Sequence, residues 1–371
     1  MIRVPFGELR SQFLQIEAEI RAALEEVFES GWFVLGHQVA AFEQEFASYC
    51  GARYAVGVGS GTEALHLALI AAGVQPGDHV LTVPNTAVPT ASAISFAGAI
   101  PTFAEVEPET GLMDLAGAEA ALTPRTRALV PVHLYGQPVD LGPLLELARR
   151  YRLPVVEDAA QAHGASYQGG RIGSHGELVA FSFYPSKNLG AYGDGGAVTT
   201  NDESLRDQLV MLRNYGQRER YHHQVKGFNS RLDELQAAVL RVKLRHLDRW
   251  NARRQSLAMR YLSGIHHPEI RLPAVRAGRD PCWHLFVIQT GGRDDLRQHL
   301  ERSGIGTQIH YPIPVHRQAA YAELGLTEGS LPIAESRARR ILSLPLYPEM
   351  TDEQLDFVID HVNAWEGPPC A

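Results

Sequence analysis

Cysteine is scarce in this 371-residue chain. Cys50, Cys282 and Cys370 are odd in number and far apart, which excludes a disulfide framework and any Cys-x-x-Cys metal knuckle. A reducing compartment is therefore expected. Long apolar runs are missing too: no stretch approaches a membrane-spanning length, and Met1 to Glu8 has no apolar signal core, so the expectations are cytoplasmic residence and no membrane partner. Basic clustering is equally thin. Thirty-four Lys and Arg against 42 Asp and Glu give a formal charge of -8, which argues against a nucleic-acid surface. The longest arginine-rich run, Arg241 to Arg254, is broken by leucines at helical spacing and by Asp248, and reads as a solvated helix face.

What is present is material for a large core, with 45% hydrophobic and 20% charged residues. Short apolar runs, Tyr54–Val58, Val80–Val83, Pro101–Ala104, Ala128–Val132, Leu153–Val156 and Val179–Phe183, alternate with helical patterns. That alternation predicts an α/β fold with a largely parallel sheet covered by helices on both faces. An amphipathic helix, Phe13 to Ser30, ending at Gly31, should precede the sheet, and two helices, Leu232–Leu247 and Asn251–Leu262, should lead away from it. Beyond Ile265, a strand at Leu285–Ile288 and helices near Asp294–Ser303 and Asp352–Ala364 suggest a smaller α+β domain; the expected division is 1–245 and 246–371, with a loose tail at Pro368.

Three motifs carry chemistry. In Gly57-Val58-Gly59-Ser60-Gly61-Thr62-Glu63, a glycine-rich turn opens a helix predicted over Thr62 to Ala72. Free N–H groups, the helix dipole and the Thr62 hydroxyl there make a phosphate seat. A dinucleotide site would need an acid at the end of the next strand; Leu81-Thr82-Val83-Pro84-Asn85 has none, and no Gly-Lys-Ser/Thr follows to form a P-loop. A glycine turn with no ligand is the plain alternative. In Val155-Val156-Glu157-Asp158-Ala159-Ala160-Gln161-Ala162-His163, a buried strand delivers polar side chains at its carboxyl end. Asp158 beside a protonated ring nitrogen would gain a charge-assisted bond, and Gln161 could reach another polar atom of the same ring. The competing readings are a helix N-cap for Asp158 and a satisfied polar residue beneath the site for His163.

The third motif runs from Phe181 to Gly196 and holds Lys187. Ser182 and Lys187 are separated by Pro185, so no regular helix carries both, and a loop can turn the hydroxyl to a phosphate and the amine to a carbonyl. A local strand hydroxyl and a solvated loop cation are the bland readings, but neither accounts for Gly190, Gly193, Gly195 and Gly196, which imply close backbone approach. A phosphate seat, an acid for a ring nitrogen and an aldehyde-capturing lysine together describe a pyridoxal phosphate enzyme, in which the ring is the electron sink.

These motifs, with Gly227-Phe228-Asn229-Ser230-Arg231-Leu232-Asp233-Glu234-Leu235-Gln236, resemble the DegT/DnrJ/StrS sugar aminotransferases over essentially the whole chain. The resemblance implies a fold-type I, aspartate-aminotransferase-like enzyme with pyridoxal 5'-phosphate. Lys187 would bond the cofactor aldehyde and shuttle the proton, Asp158 would meet the pyridinium nitrogen, and Gln161 would lie near the ring hydroxyl. Gly61, Thr62 and Ser182 would hold the phosphate, with Asn229 supplied by the neighbouring subunit of a homodimer. Lys187, instead of histidine, argues against the dehydratase branch. Ala87 stands where many relatives place an aromatic on the cofactor face, which leaves the stacking partner unassigned. Gln308 to His316 and Arg213 to Gly216 resemble the subgroup that aminates C3 of dTDP-linked 3-keto-6-deoxyhexoses with glutamate as donor; His310, Tyr311, His316 and Tyr215 are the candidate substrate contacts. No metal is expected, because His310 and His316 lack a third ligand and lie among prolines. Alternatives are C4 amination of a UDP-4-keto sugar, amination of a keto-cyclitol, and a non-catalytic regulator that binds the cofactor.

Overall fold

The computed structural model describes residues 3–367, so the Pro368 tail and Cys370 lie outside the described residues. Seven strands form the main sheet in the order Tyr54–Val58, Gly196–Thr200, Leu178–Ser182, Val156–Asp158, Thr126–Leu129, His79–Thr82 and Ile100–Phe103. Its two halves are joined by parallel bridges from Leu129 to Val155 and from Val132 to Asp158. Only Gly196–Thr200 runs against its neighbours. The largely parallel α/β expectation therefore holds, with one strand added that the glycine-rich run had concealed.

Side-chain alternation along these strands divides the core into two layers. Val179 and Phe181 pack on one face with Phe42 and Phe46, whereas Leu178 and Ala180 pack on the other with Leu67 and Ile94. Both faces are thus covered by helices, as a parallel sheet requires. The same alternation turns Ser182 away from Phe181 and Phe183 toward the start of the helix Gly61–Ala71. A phenylalanine cluster anchors this end of the sheet: Phe46 lies 5.0 Å from Phe181 and 5.4 Å from both Phe42 and Phe183, ring centre to ring centre.

The helix expected to start at Phe13 begins one turn earlier, at Leu9, and ends at Gly31 in the left-handed conformation (φ 64°). The two helices expected beyond Leu232 are one 31-residue helix, Glu234–Gly264. Asp248 accepts hydrogen bonds from Tyr49 and Arg171 on the outer face, while Trp250 packs inward, so the helix continues. Beyond it, strand Phe286–Gln289 pairs antiparallel with Ile341–Leu344, and helices Arg293–Arg302 and Asp352–Asn363 cover them. Their hydrophobic cluster also takes in Val4, which pairs with Ile305. No helix among the described residues is long and apolar enough to cross a membrane.

The phenylalanine cluster joins the helix His37–Cys50 to the strand that leads into Lys187. Truncating a fully buried ring costs about 3–5 kcal/mol. Phe46→Ala is expected to lose that much in urea unfolding, and a loss below about 1 kcal/mol would show that the cluster does not anchor the strand.

Candidate active site

The candidate residues meet at the carboxyl edge of the sheet, where the turn after Val58, the segment Thr86–Thr90, and the ends of strands Val156–Asp158 and Leu178–Ser182 line one cleft of about 750 Å³. Gly61, Thr62, Asp158, Gln161, Ser182 and Lys187 all contribute to its wall.

The seat is built by close approach. Ser60 caps the helix Gly61–Ala71 by accepting from Glu63 N at 3.2 Å, which leaves the N–H groups of Gly61 and Thr62 without a protein acceptor among the described residues. A Cβ on Gly61 would stand 2.4 Å from Ser182 Cβ and 2.8 Å from its Oγ, so only glycine lets the helix start and the strand end share one anion. The Ser182 hydroxyl accepts from Tyr184 N at 3.3 Å and keeps its own proton for donation.

Asp158 is 5% exposed and does not cap a helix, because a turn follows it. Its Oδ1 accepts from Ala160 N at 3.1 Å and its Oδ2 from Thr90 Oγ1 at 2.7 Å. The neighbouring Glu157 faces the opposite layer, where it bonds His133 at 2.7 Å and accepts from Gly176 N. His133 Nδ1 accepts from Val139 N, so its proton sits on Nε2. Gln161 is also orientated: its Oε1 accepts from Tyr135 N at 2.6 Å, which leaves Nε2 to donate, here to Tyr311 at 3.1 Å. A buried amide donor beside the cleft suits an anionic ring oxygen.

Lys187 occupies a loop closed by its own N–H to Tyr184 O and by Ala191 N to Phe183 O. Gly190 is required there, since a Cβ would meet Pro185 O at 2.4 Å. Burial pulls the Lys187 pKa down to about 8, while the Asp158 charge and the Cys282 thiol oppose the shift. A second cleft, of about 1180 Å³, opens on the other side of Lys187 and is walled by Tyr184, Gln308, His310 and Tyr347.

Of the candidate substrate contacts, His310 lines this second cleft, bonds Ser343 through Nδ1 at 2.8 Å, and is held neutral, with burial and the Lys187 charge lowering its pKa to about 4. Tyr311 reaches the site through Gln161, and burial followed by the Asp158 charge raises its pKa to about 12. His316 is not brought there: its buried ring bonds Glu335 at 3.0 Å and lines neither cleft. Tyr215 also lines neither, and is 48% exposed on a left-handed turn (φ 58°). Asn229 is exposed on the same surface loop and bridges to Asn214. His163 lies beneath the site, where neither ring nitrogen makes a well-formed hydrogen bond among the described residues; burial and the Lys187 charge lower its pKa to about 3, against a weak pull from the Ser182 backbone. Thr86, Thr90, Tyr135, Tyr184 and Asp194 were not foreseen as site residues, and nothing in their spacing marks them.

The donor set fits pyridoxal phosphate: a seat that a Cβ would fill, a buried carboxylate for the ring nitrogen, an amide N–H for the ring oxygen, and a desolvated amine. Fold and site together define a pyridoxal phosphate-dependent aminotransferase of fold type I. The chain belongs to the DegT/DnrJ/EryC1/StrS aminotransferase family, whose model matches residues 14–363. It is 52% identical over 364 residues to a dTDP-3-amino-3,4,6-trideoxy-α-D-glucose transaminase of Streptomyces venezuelae, covering 98% of this chain and 96% of that one. It is 43% identical to a UDP-N-acetyl-3-dehydro-α-D-glucosamine 3-aminotransferase of Acidithiobacillus ferrooxidans, over 95% of each chain. The crystal structure of S. venezuelae DesV in complex with a ketimine intermediate superposes with a TM-score of 0.97 at 52% identity, covering 98% of this chain and 99% of that one.

Two outcomes follow from the geometry. Gly61→Ala should raise the dissociation constant for pyridoxal phosphate by at least about tenfold, measured by equilibrium dialysis; unchanged affinity would remove Gly61 from the seat. Only the neutral amine attacks an aldehyde, and a pKa lowered to about 8 makes that form accumulate as pH rises toward 8. Aldehyde capture by cofactor-free protein should therefore climb about tenfold per pH unit below 8 and level off above it, whereas a rise continuing to pH 10 would show an unshifted lysine.

Proposed function

We propose that this aminotransferase carries nitrogen from glutamate to C3 of a dTDP-linked 3-keto-6-deoxyhexose, as a homodimer in which Asn229 of the partner subunit completes each phosphate seat. The observation that carries the reading is the full-length match to a transaminase named for a dTDP-3-amino sugar, with Lys187, Asp158 and the Gly61–Ser182 seat together at one cleft.

When bound, the cofactor supplies the aldehyde that takes up the donor nitrogen and the cationic ring that stabilises the electron pair released at carbon. The residues of the chain do the rest. Gly61 N, Thr62 N and Ser182 Oγ bind the phosphate, and Asp158 holds the proton on the ring nitrogen. Gln161 Nε2 donates to the ring oxygen. Lys187 Nζ would take the proton from the donor carbon and pass it to the cofactor carbon that bears the nitrogen, then move a proton the opposite way onto the sugar carbon, a task suited to an amine whose pKa lies near 8. The sugar enters by the second cleft, past Tyr184 and His310. Asn229, exposed in the single chain, is free to cross to a neighbour, and Trp32, Phe33 and Tyr192 are exposed apolar residues that a second copy would cover. We place the boundary of the large and small domains at 245/246, inside the long helix, and the enzyme in the cytoplasm, a reading supported by the free, buried Cys50 and Cys282.

A second nucleotide remains in view because one relative is named for a UDP-linked sugar, yet both relatives are named for nitrogen at position 3. Offered dTDP-linked and UDP-linked 3-keto and 4-keto sugars with glutamate, the enzyme should aminate the dTDP-linked 3-keto sugar with the highest kcat/KM. Turnover confined to a 4-keto sugar would overturn the reading.

Lys187→Ala should abolish turnover while still binding pyridoxamine phosphate. Hybrid dimers of Lys187→Ala and Asn229→Ala subunits should recover one working site in two, because one site then pairs an intact lysine with an intact Asn229 while the other holds both altered residues. Hybrids no better than either parent would exclude the shared seat.

A further inference from the structure

Asp158 is held at both carboxylate oxygens from two different parts of the chain. Ala160 N, in the turn after the strand, donates to Oδ1 at 3.1 Å, and Thr90 Oγ1, in the first turn of the helix Val88–Phe96, donates to Oδ2 at 2.7 Å. An ionised carboxylate only accepts, so the proton of the second bond belongs to Thr90. Thr86 Oγ1 lies 2.8 Å from Thr90 Oγ1, and with the Thr90 proton already committed, Thr86 is the donor in that pair. The three side chains therefore form a directed chain, Thr86 to Thr90 to Asp158. All three are buried, with Thr90 1% and Thr86 3% exposed, which strengthens these bonds at the cleft wall.

We infer that Thr90 is a positioning residue: its hydroxyl, backed by Thr86, fixes the plane of the Asp158 carboxylate so that a free lone pair meets the ring nitrogen of the cofactor. Asp158 ends the strand Val156–Asp158, and without Thr90 only one backbone N–H would hold the carboxylate. A carboxylate free to turn keeps the ring proton less well, and a less cationic ring is a weaker electron sink. Lys187 and Tyr311 feel the Asp158 charge and Asp194 lines the same cleft, but none of the three hydrogen-bonds to Asp158 among the described residues. The support therefore comes from uncharged donors alone, which do not titrate at working pH.

The inference rests on Asp158 as the partner of the ring nitrogen, and the experiment separates the two. Holoenzyme variants Thr90→Val, Thr90→Ser and Asp158→Asn are followed by the visible band of the lysine-bound cofactor as a function of pH, and by kcat and KM for both substrates. With a less cationic ring the lysine-bound nitrogen becomes more basic. Thr90→Val should thus move the spectral midpoint up by about one pH unit, the scale of one hydrogen bond to a charged group. It should also lower kcat about tenfold with both KM values within about threefold. Thr90→Ser should restore both readouts, which a purely structural role for the side chain would not predict. If Asp158→Asn disturbs the spectrum and Thr90→Val does not, the positioning role is wrong. If Asp158→Asn leaves spectrum and turnover unchanged, the ring-nitrogen assignment itself fails. Should Thr90→Val not fold, Thr86→Val gives the test one bond further out: a smaller upward shift supports the chain of hydroxyls, and an unmoved midpoint overturns it.

Discussion

Taking the Lys187 ammonium out of water is the constraint around which the site is built. Burial alone would drive the amine far toward neutrality, and Asp158 is the charge that holds it near pH 8. The surrounding imidazoles answer to the same constraint. His163, His284 and His310 are all pushed to the neutral form, each by burial first and by the Lys187 charge second. A second cation beside the lysine would cost more than the dry surroundings can return. Lys187 is therefore left as the nearby base poised to change charge close to neutrality, which a proton shuttle at carbon requires.

The sheet makes this arrangement possible because alternation gives adjacent residues opposite tasks. Glu157 and Asp158 are both carboxylates, yet one serves the layer behind the sheet through His133 and the other serves the cleft. Likewise Phe181 and Phe183 pack against the helix His37–Cys50 while Ser182 between them reaches the helix start at Gly61. A shift of one residue in either strand would exchange the chemical side chain for the packing one. The closeness of Gly61 to Ser182 fixes that register as firmly as the hydrogen bonds do.

Much of this was legible in the sequence for a physical reason. Lys187, Asp158 and the Gly61–Thr62 turn lie at the ends of apolar runs, where an open α/β sheet places its ligands, and glycines marked the two points of closest backbone approach. Strand Gly196–Thr200 was not legible, because its opening glycine belongs to the turn before it. Strand Ile341–Leu344 follows the arginine-rich helix Pro332–Arg340 without any turn signal. His316 stood as a candidate contact because the Gln308 to His316 segment resembles one subgroup of the family, but the fold commits its ring to Glu335. Thr90 and Tyr135 escaped notice because a hydroxyl and a backbone N–H act through tertiary contacts that no local pattern records. Asn229 follows from resemblance alone: in one chain it is merely exposed.

Burial is not sufficient to make a lysine reactive, and the chain contains its own control. Lys243 is 1% exposed and its pKa is also lowered to about 8 by burial. Its Nζ, however, donates to Gly190 O at 2.8 Å and lies 4.1 Å from the centre of the Tyr192 ring, and it lines neither cleft beside Lys187. Its three donors face a carbonyl and an aromatic ring, so desolvation there is offset by fixed partners. Lys187 Nζ has no hydrogen-bond partner among the described residues and stands between two clefts. The difference is one of access and unsatisfied bonding, not of basicity. Because Gly190 closes the Lys187 loop, the inert lysine also holds in place the turn that keeps the reactive one uncommitted.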